Sequence, residues 1–175
     1  MKKKLTIAFV FVCLVFLAGD ASAVSDTEIR IEDGDAEMVT EFELSAPDEP
    51  LNFWKVSVEL PEETRVVSLE DSLGGIEEYE ITDGELSFET NTGVAREAET
   101  VRMEYVVEDV VTEKYGGLEV VEVGVFGFRG ANDQTTKASL TADGRLFTAS
   151  SGRGFETSLT HEEAVFEGTG STTVT

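Results

Sequence analysis

Apolar and polar side chains alternate with a two-residue period through most of this chain, which confines it to strands that bury one face. Ile29 and Ile31 alternate with Glu28, Arg30 and Glu32. Met38, Thr40, Phe42 and Leu44 share one face against Glu37, Val39, Glu41 and Glu43. Trp54, Val56, Val58 and Leu60 oppose Lys55, Ser57 and Glu59, and Leu86 and Phe88 sit between Glu85, Ser87 and Glu89. Val101, Met103, Tyr105 and Val107 form another face against Arg102, Glu104 and Glu108. The run Leu118–Phe128 is apolar on both faces and reads as a central strand, with Gly124 and Gly127 marking a bulge or a close backbone approach.

Turn chemistry separates these runs. Asp33-Gly34, Asp83-Gly84 and Asp143-Gly144 each suit a type I′ hairpin, whose two central residues need positive φ. The third predicts that Ala138–Leu140 pairs with Leu146–Thr148. No stretch of helical length shows a 3.6-residue period. The expected fold is all-β: an antiparallel β-sandwich of about ten short strands, immunoglobulin-like in general architecture. It forms one domain over 24–175, with a possible sub-boundary at Tyr115-Gly116-Gly117. Trp54, Phe42, Phe88, Tyr105, Leu60 and Val58 form the expected inward set, each stabilising the fold by ~1.5–3 kcal/mol on burial.

The first 23 residues read differently. Lys2, Lys3 and Lys4 precede an uncharged apolar stretch from Leu5 to Ala18, and Ala21-Ser22-Ala23 supplies the small residues of a cleavage site. These are the three parts of a secretory signal peptide. The apolar stretch is shorter than the ~20 residues of a stable membrane-spanning helix. Cleavage after Ala23 leaves a chain starting at Val24 with no membrane span, expected outside the cell or on the outer face of its membrane; an uncleaved anchor is the alternative. Cys13, the only cysteine, lies inside the leader, so the exported part holds together without disulfides.

The chain carries 36 acidic and 13 basic residues, a formal charge of −23. Removing the leader's three lysines and Asp20 leaves 35 acidic against 10 basic residues, or −25. Soluble small domains carry a net charge of about 2–8 in magnitude. Self-repulsion on this scale destabilises a compact state unless salt screens it, and halophiles use such compositions. The even spread of the acids reads as a hydrated, salt-adapted surface. Nucleic acid is disfavoured as a partner because phosphate binding needs a basic patch. Disorder is disfavoured because 41% of the residues are hydrophobic and fall in alternating blocks.

No catalytic constellation emerges. His161, the only histidine, begins His161-Glu162-Glu163, but Val165 stands where H-E-x-x-H needs its second histidine. A catalytic zinc takes three protein ligands, and a lone histidine beside acids reads as a surface residue. No G-x-S-x-G elbow occurs. The densest acidic turn, with Asp33, Asp35 and Glu37, offers oxygen ligands suited to calcium without EF-hand spacing. An exposed hairpin turn explains it equally well. Tyr115 and the segment Phe126-Gly127-Phe128-Arg129 are the candidates for an exposed aromatic patch facing a glycan or an envelope protein, with core packing the favoured account of the two phenylalanines.

The pattern Leu60-Pro61-Glu62-Glu63-Thr64-Arg65-Val66-Val67-Ser68, followed by Tyr79-Glu80-Ile81-Thr82-Asp83-Gly84-Glu85-Leu86-Ser87-Phe88, resembles the N-terminal extracellular β-domains of haloarchaeal exported proteins. The resemblance spans roughly Asn52 to Phe128 and is one of layout. It implies an outer β-domain that in some members precedes a zinc-peptidase-like or membrane-anchored portion. The peptidase's metal ligands have no counterpart here, so it assigns no catalytic residue. Three readings follow: a non-catalytic secreted or cell-envelope module, an accessory β-domain of an exported hydrolase, and a calcium- or glycan-binding module.

Overall fold

A computed structural model describes residues 23–44, 53–91, 98–115, 118–125, 135–142, 145–146, 148–169 and 172–175. Among them are fifteen strands and no helix. The first eight are β1 (Ala23–Glu32), β2 (Asp35–Leu44), β3 (Lys55–Glu59), β4 (Thr64–Asp71), β5 (Gly74–Gly75), β6 (Tyr79–Thr82), β7 (Glu85–Glu89) and β8 (Glu99–Val107). There follow β9 (Val111–Tyr115), β10 (Leu118–Val121), β11 (Val123–Val125), β12 (Thr135–Ala142), β13 (Phe155–Leu159), β14 (Glu163–Thr169) and β15 (Thr172–Val174). The all-β expectation holds, with more strands than the alternation alone resolves.

Eight strands form one sheet in the order β13-β14-β12-β1-β2-β8-β4-β5, and β3-β7-β6 form a smaller one. The two make a sandwich because each turns its apolar set inward. Ile29, Met38, Phe42, Val101, Met103 and Tyr105 of the large sheet and Val56, Val58, Leu86 and Phe88 of the small one belong to a single buried core. Phe42 meets Phe88 across the layers, ring centroids 6.5 Å apart and tilted by 53°, a separation within the favourable range for aromatic pairs. Trp54 and Leu60, flanking β3, are packed against the core but only partly buried.

Two of the three Asp-Gly turns fall as expected. Asp33 and Gly34 have φ of 54° and 95° between β1 and β2, and Asp83 and Gly84 have φ of 53° and 78° between β6 and β7. The third signal misleads. Asp143-Gly144 lies outside the described residues, and β12 pairs not with residues 146–148 but with β14 on one side and, in parallel, β1 on the other. With both its edges occupied, β12 has no place for a local hairpin partner. The parallel pair also departs from a purely antiparallel sandwich. The apolar run from Leu118 is likewise no central strand. It breaks at Glu122 into β10, paired with β9, and β11, paired with β15. Gly124 leaves room for the Pro61 ring, 3.4 Å from where a Cβ would stand, rather than for another backbone; Gly127 lies outside the described residues. So do Gly116 and Gly117 of the possible sub-boundary.

The inner face of the large sheet carries a seam of hydroxyls that the alternation left unremarked. Ser25, Thr27, Thr40, Thr136 and Tyr105 are all at most 1% exposed. Ser25 Oγ donates to Thr136 Oγ1 at 3.4 Å, Thr27 and Thr40 share a 3.0 Å hydrogen bond, and Thr40 meets the Tyr105 hydroxyl at 3.3 Å. These contacts tie together β12, β1, β2 and β8 where unpaired polar atoms would cost ~1–3 kcal/mol each. Burial pushes the Tyr105 phenol well above its ordinary value, and the Thr40 hydrogen bond opposes that only in part. The folded chain thus keeps this proton at a pH where the unfolded chain has released it. Stability is fully present below about pH 10 and falls above it, by up to ~1.4 kcal/mol per pH unit. Melting followed from pH 9 upward should show this loss, and Tyr105→Phe should flatten it at a cost of ~1 kcal/mol at neutral pH. An identical alkaline slope in the variant would show that other groups set it.

Candidate functional site

The outer face of the small sheet gathers polar side chains from β3, β6 and β7. Register places Lys55 opposite Glu89, Ser57 opposite Ser87 and Glu59 opposite Glu85 across β3 and β7. Glu80 lies opposite Ser87, and Thr82 opposite Glu85, across β6 and β7. Leu86 and Phe88 point into the core, so the intervening residues turn this polar set outward. Ser57 Oγ donates to Glu85 Oε1 and lies 3.2 Å from Ser87 Oγ. Thr82 Oγ1 donates to Glu80 Oε1 at 3.1 Å.

An open groove of about 800 Å³ runs over one end of this face. Its wall is the segment Gly75–Glu80 and its floor includes Lys55, Ser87 and Glu89. Asp71, 9% exposed, fixes the rim: its carboxylate accepts from the Leu73 N–H at 2.9 Å and from the Asn91 backbone N–H. The Asn91 side chain donates to Asp71 Oδ1 and to the carbonyls of Gly74 and Gly75. Glu99, 5% exposed, accepts from the Ser72 N–H at 2.9 Å. These two buried carboxylates thus serve to hold the β4–β5 turn. The groove offers carboxylates, hydroxyls and one ammonium group: a surface for binding cationic or hydrogen-bonding groups.

The acidic turn is fixed by hydrogen bonds from backbone N–H groups. Asp33 supplies the left-handed turn residue, and Asp35 Oδ1 accepts from the Asp109 N–H at 3.1 Å. Together with the Val110 N–H, which donates to the Gly34 carbonyl at 2.9 Å, this clips the first hairpin to the segment after β8. Glu37 is exposed on β2, across from Arg30. Among the described residues no three or more His, Cys, Asp or Glu side chains gather as a metal site would need. His161 is exposed in the β13–β14 turn, where its carbonyl accepts from Leu146 N. Ala23 opens β1 opposite Leu44, so cleavage after it would leave Val24–Glu32 of that strand; Ala21 lies outside the described residues. No helix among them is long and apolar enough to cross a membrane. Phe126, Gly127, Phe128 and Arg129 lie outside the described residues, as does the Tyr115 side chain.

No protein-family model and no curated protein matches the chain. Its fold is similar to part of two solved enzymes. An M1 zinc metallopeptidase from Deinococcus radiodurans matches with a TM-score of 0.52 at 14% identity, covering 89% of this chain and 42% of that one. Leukotriene A4 hydrolase from Saccharomyces cerevisiae matches with a TM-score of 0.56 at 12% identity, covering 89% and 29%. The chain therefore spans less than half the length of either.

Proposed function

We propose that this chain is a non-catalytic β-module, exported by a salt-adapted cell, that works beside a hydrolase as an accessory domain. The observation that carries the reading is the match of 89% of this chain to less than half of a metallopeptidase. A piece of fold that large, found inside longer hydrolytic chains, fits a supporting layer to which chemistry is added by other sequence. The basic–apolar–small leader supports export, and Val24 is then the first residue of the working protein. The acidic surface supports a saline setting outside the cell.

Recovery of the tagged chain from washed envelopes in molar salt tests this directly. The expected result is a species beginning at Val24 that brings with it a peptide-hydrolysing activity, while the purified chain alone turns over no peptide, ester or glycan. Turnover by the purified chain, or recovery of the chain with no hydrolase bound or fused, would defeat the proposal.

A further inference from the structure

Among the described residues, strand β6 ends its sheet with one edge open. The sheet order is β3-β7-β6, so nothing among the described residues pairs with the far side of β6. The two-residue Asp83-Gly84 loop makes Thr82 and Glu85 the hydrogen-bonded closing pair, with Glu80 and Ser87 the next such pair. Tyr79 and Ile81 therefore turn their N–H and C=O groups away from β7 and into the open edge. Their side chains share the inner face with Phe88 and Leu86, which are 3% and 0% exposed, yet Tyr79 and Ile81 are 43% and 45% exposed. An apolar shelf thus lies directly beside four backbone groups that pair with no strand among the described residues. Strand addition uses this combination: main-chain hydrogen bonds along an edge, with alternate side chains filling apolar space.

The charge beside the edge narrows the occupant. Glu77, Glu78, Glu80 and Glu89 line the adjoining groove, and Lys55 is its one cationic lining residue. We infer that the open edge of β6 takes an extended peptide segment of alternating apolar and basic residues as an added strand. Its apolar side chains lie on the Tyr79–Ile81 shelf, and its Lys or Arg side chains lie on the Glu80 face. A second copy of this chain fits poorly there, since edge-to-edge pairing would set two carboxylate-lined rims of a −23 chain against each other. This inference does not depend on the accessory-domain reading.

The test uses the intact chain at one fixed molar salt concentration, with a fluorescein-labelled hexapeptide alternating Val and Lys and a counterpart alternating Val and Glu. The Debye length there is ~3 Å, so any difference between the two reports ion pairs in contact. Anisotropy titrations are expected to give at least tenfold tighter binding of the Lys peptide. Ile81→Pro should weaken that binding at least tenfold with unchanged melting, because residue 81 donates no hydrogen bond to β7 and edge strands accept proline there. Glu78→Lys combined with Glu80→Lys should reverse the preference toward the Glu peptide, a readout independent of the proline. Equal binding of the two peptides would overturn the inference. So would a dimer in sedimentation that Ile81→Pro dissolves, since the edge would then belong to a second copy.

Discussion

Moved from molar salt into dilute buffer, the chain is expected to lose its near-ultraviolet circular dichroism and its strand signal, and to regain both when salt is restored. Net charge alone suggests this, but the sheet register gives it a local cause. Asp26 stands opposite Glu41, Glu32 opposite Asp35, and Glu156 opposite Glu167. Glu59 and Glu85 face each other across β3 and β7. Like charges directly opposite destabilise a sheet by ~0.2–1 kcal/mol per pair, and four such pairs weigh heavily against a total of ~5–15 kcal/mol. Cations relieve part of this: Lys137 stands opposite both Asp26 and Glu167, and Arg102 opposite Glu41. Among the described residues the ion pairs are Arg30–Glu32 at 3.2 Å, Arg65–Glu108 at 3.7 Å, and Arg102 with Glu41 at 3.6 Å and with Glu104. All involve exposed or half-exposed groups, which contribute little individually. Glu156→Lys, which turns one repulsive pair attractive, should lower the salt concentration at the folding midpoint. Equal melting temperatures in dilute and molar salt would sink the salt-adapted reading.

What the sequence disclosed and what it hid divide along the range of the interactions. Asp33-Gly34 and Asp83-Gly84 were legible because a two-residue turn is decided by the φ its own residues accept. The inward positions on β2, β3, β7 and β8 were legible because the side-chain period of a strand is local. The parallel pairing of β1 with β12 was not, since it joins residues more than a hundred positions apart and no local pattern encodes it. The double-faced run from Leu118 misled for a related reason: as far as Val125 it serves two small ladders, with Glu122 at the break. The hydroxyl seam had a signal that a hydrophobicity count passes over. Ser25 and Thr27 continue the inward phase of Ile29 and Ile31, and small hydroxyl residues in that phase meet their equivalents on neighbouring strands. The groove was legible only in part: the Asp83-Gly84 hairpin pairs Glu80 with Ser87, but Lys55 of β3 reaches the same face through a pairing with β7 that no local pattern encodes.

One aromatic pair joins the two sheets within their shared core, so Phe42→Ala should be among the most damaging single changes available. Phe42 is 1% exposed near the C-terminal end of β2, flanked by β1 and β8, and its ring reaches Phe88 of the small sheet. Truncation removes the buried ring and leaves a cavity between two hydrogen-bonded layers that cannot collapse freely, at a cost of ~3–5 kcal/mol. The neighbouring Glu43→Ala, on the exposed face of the same strand, should stay within ~0.5 kcal/mol. Phe42→Leu should fall between them, because it keeps part of the volume. Denaturant unfolding at constant molar salt measures all three. The loss should include the small sheet as well as the large one, because Phe88 is the residue left facing the void. Unfolding that released β3, β6 and β7 separately, with the large sheet intact, would show two layers that fold independently. A loss under ~1.5 kcal/mol for Phe42→Ala would mean that the layers are held together elsewhere, with Val58, Leu86, Val101 and Met103 of the same core the next residues to truncate.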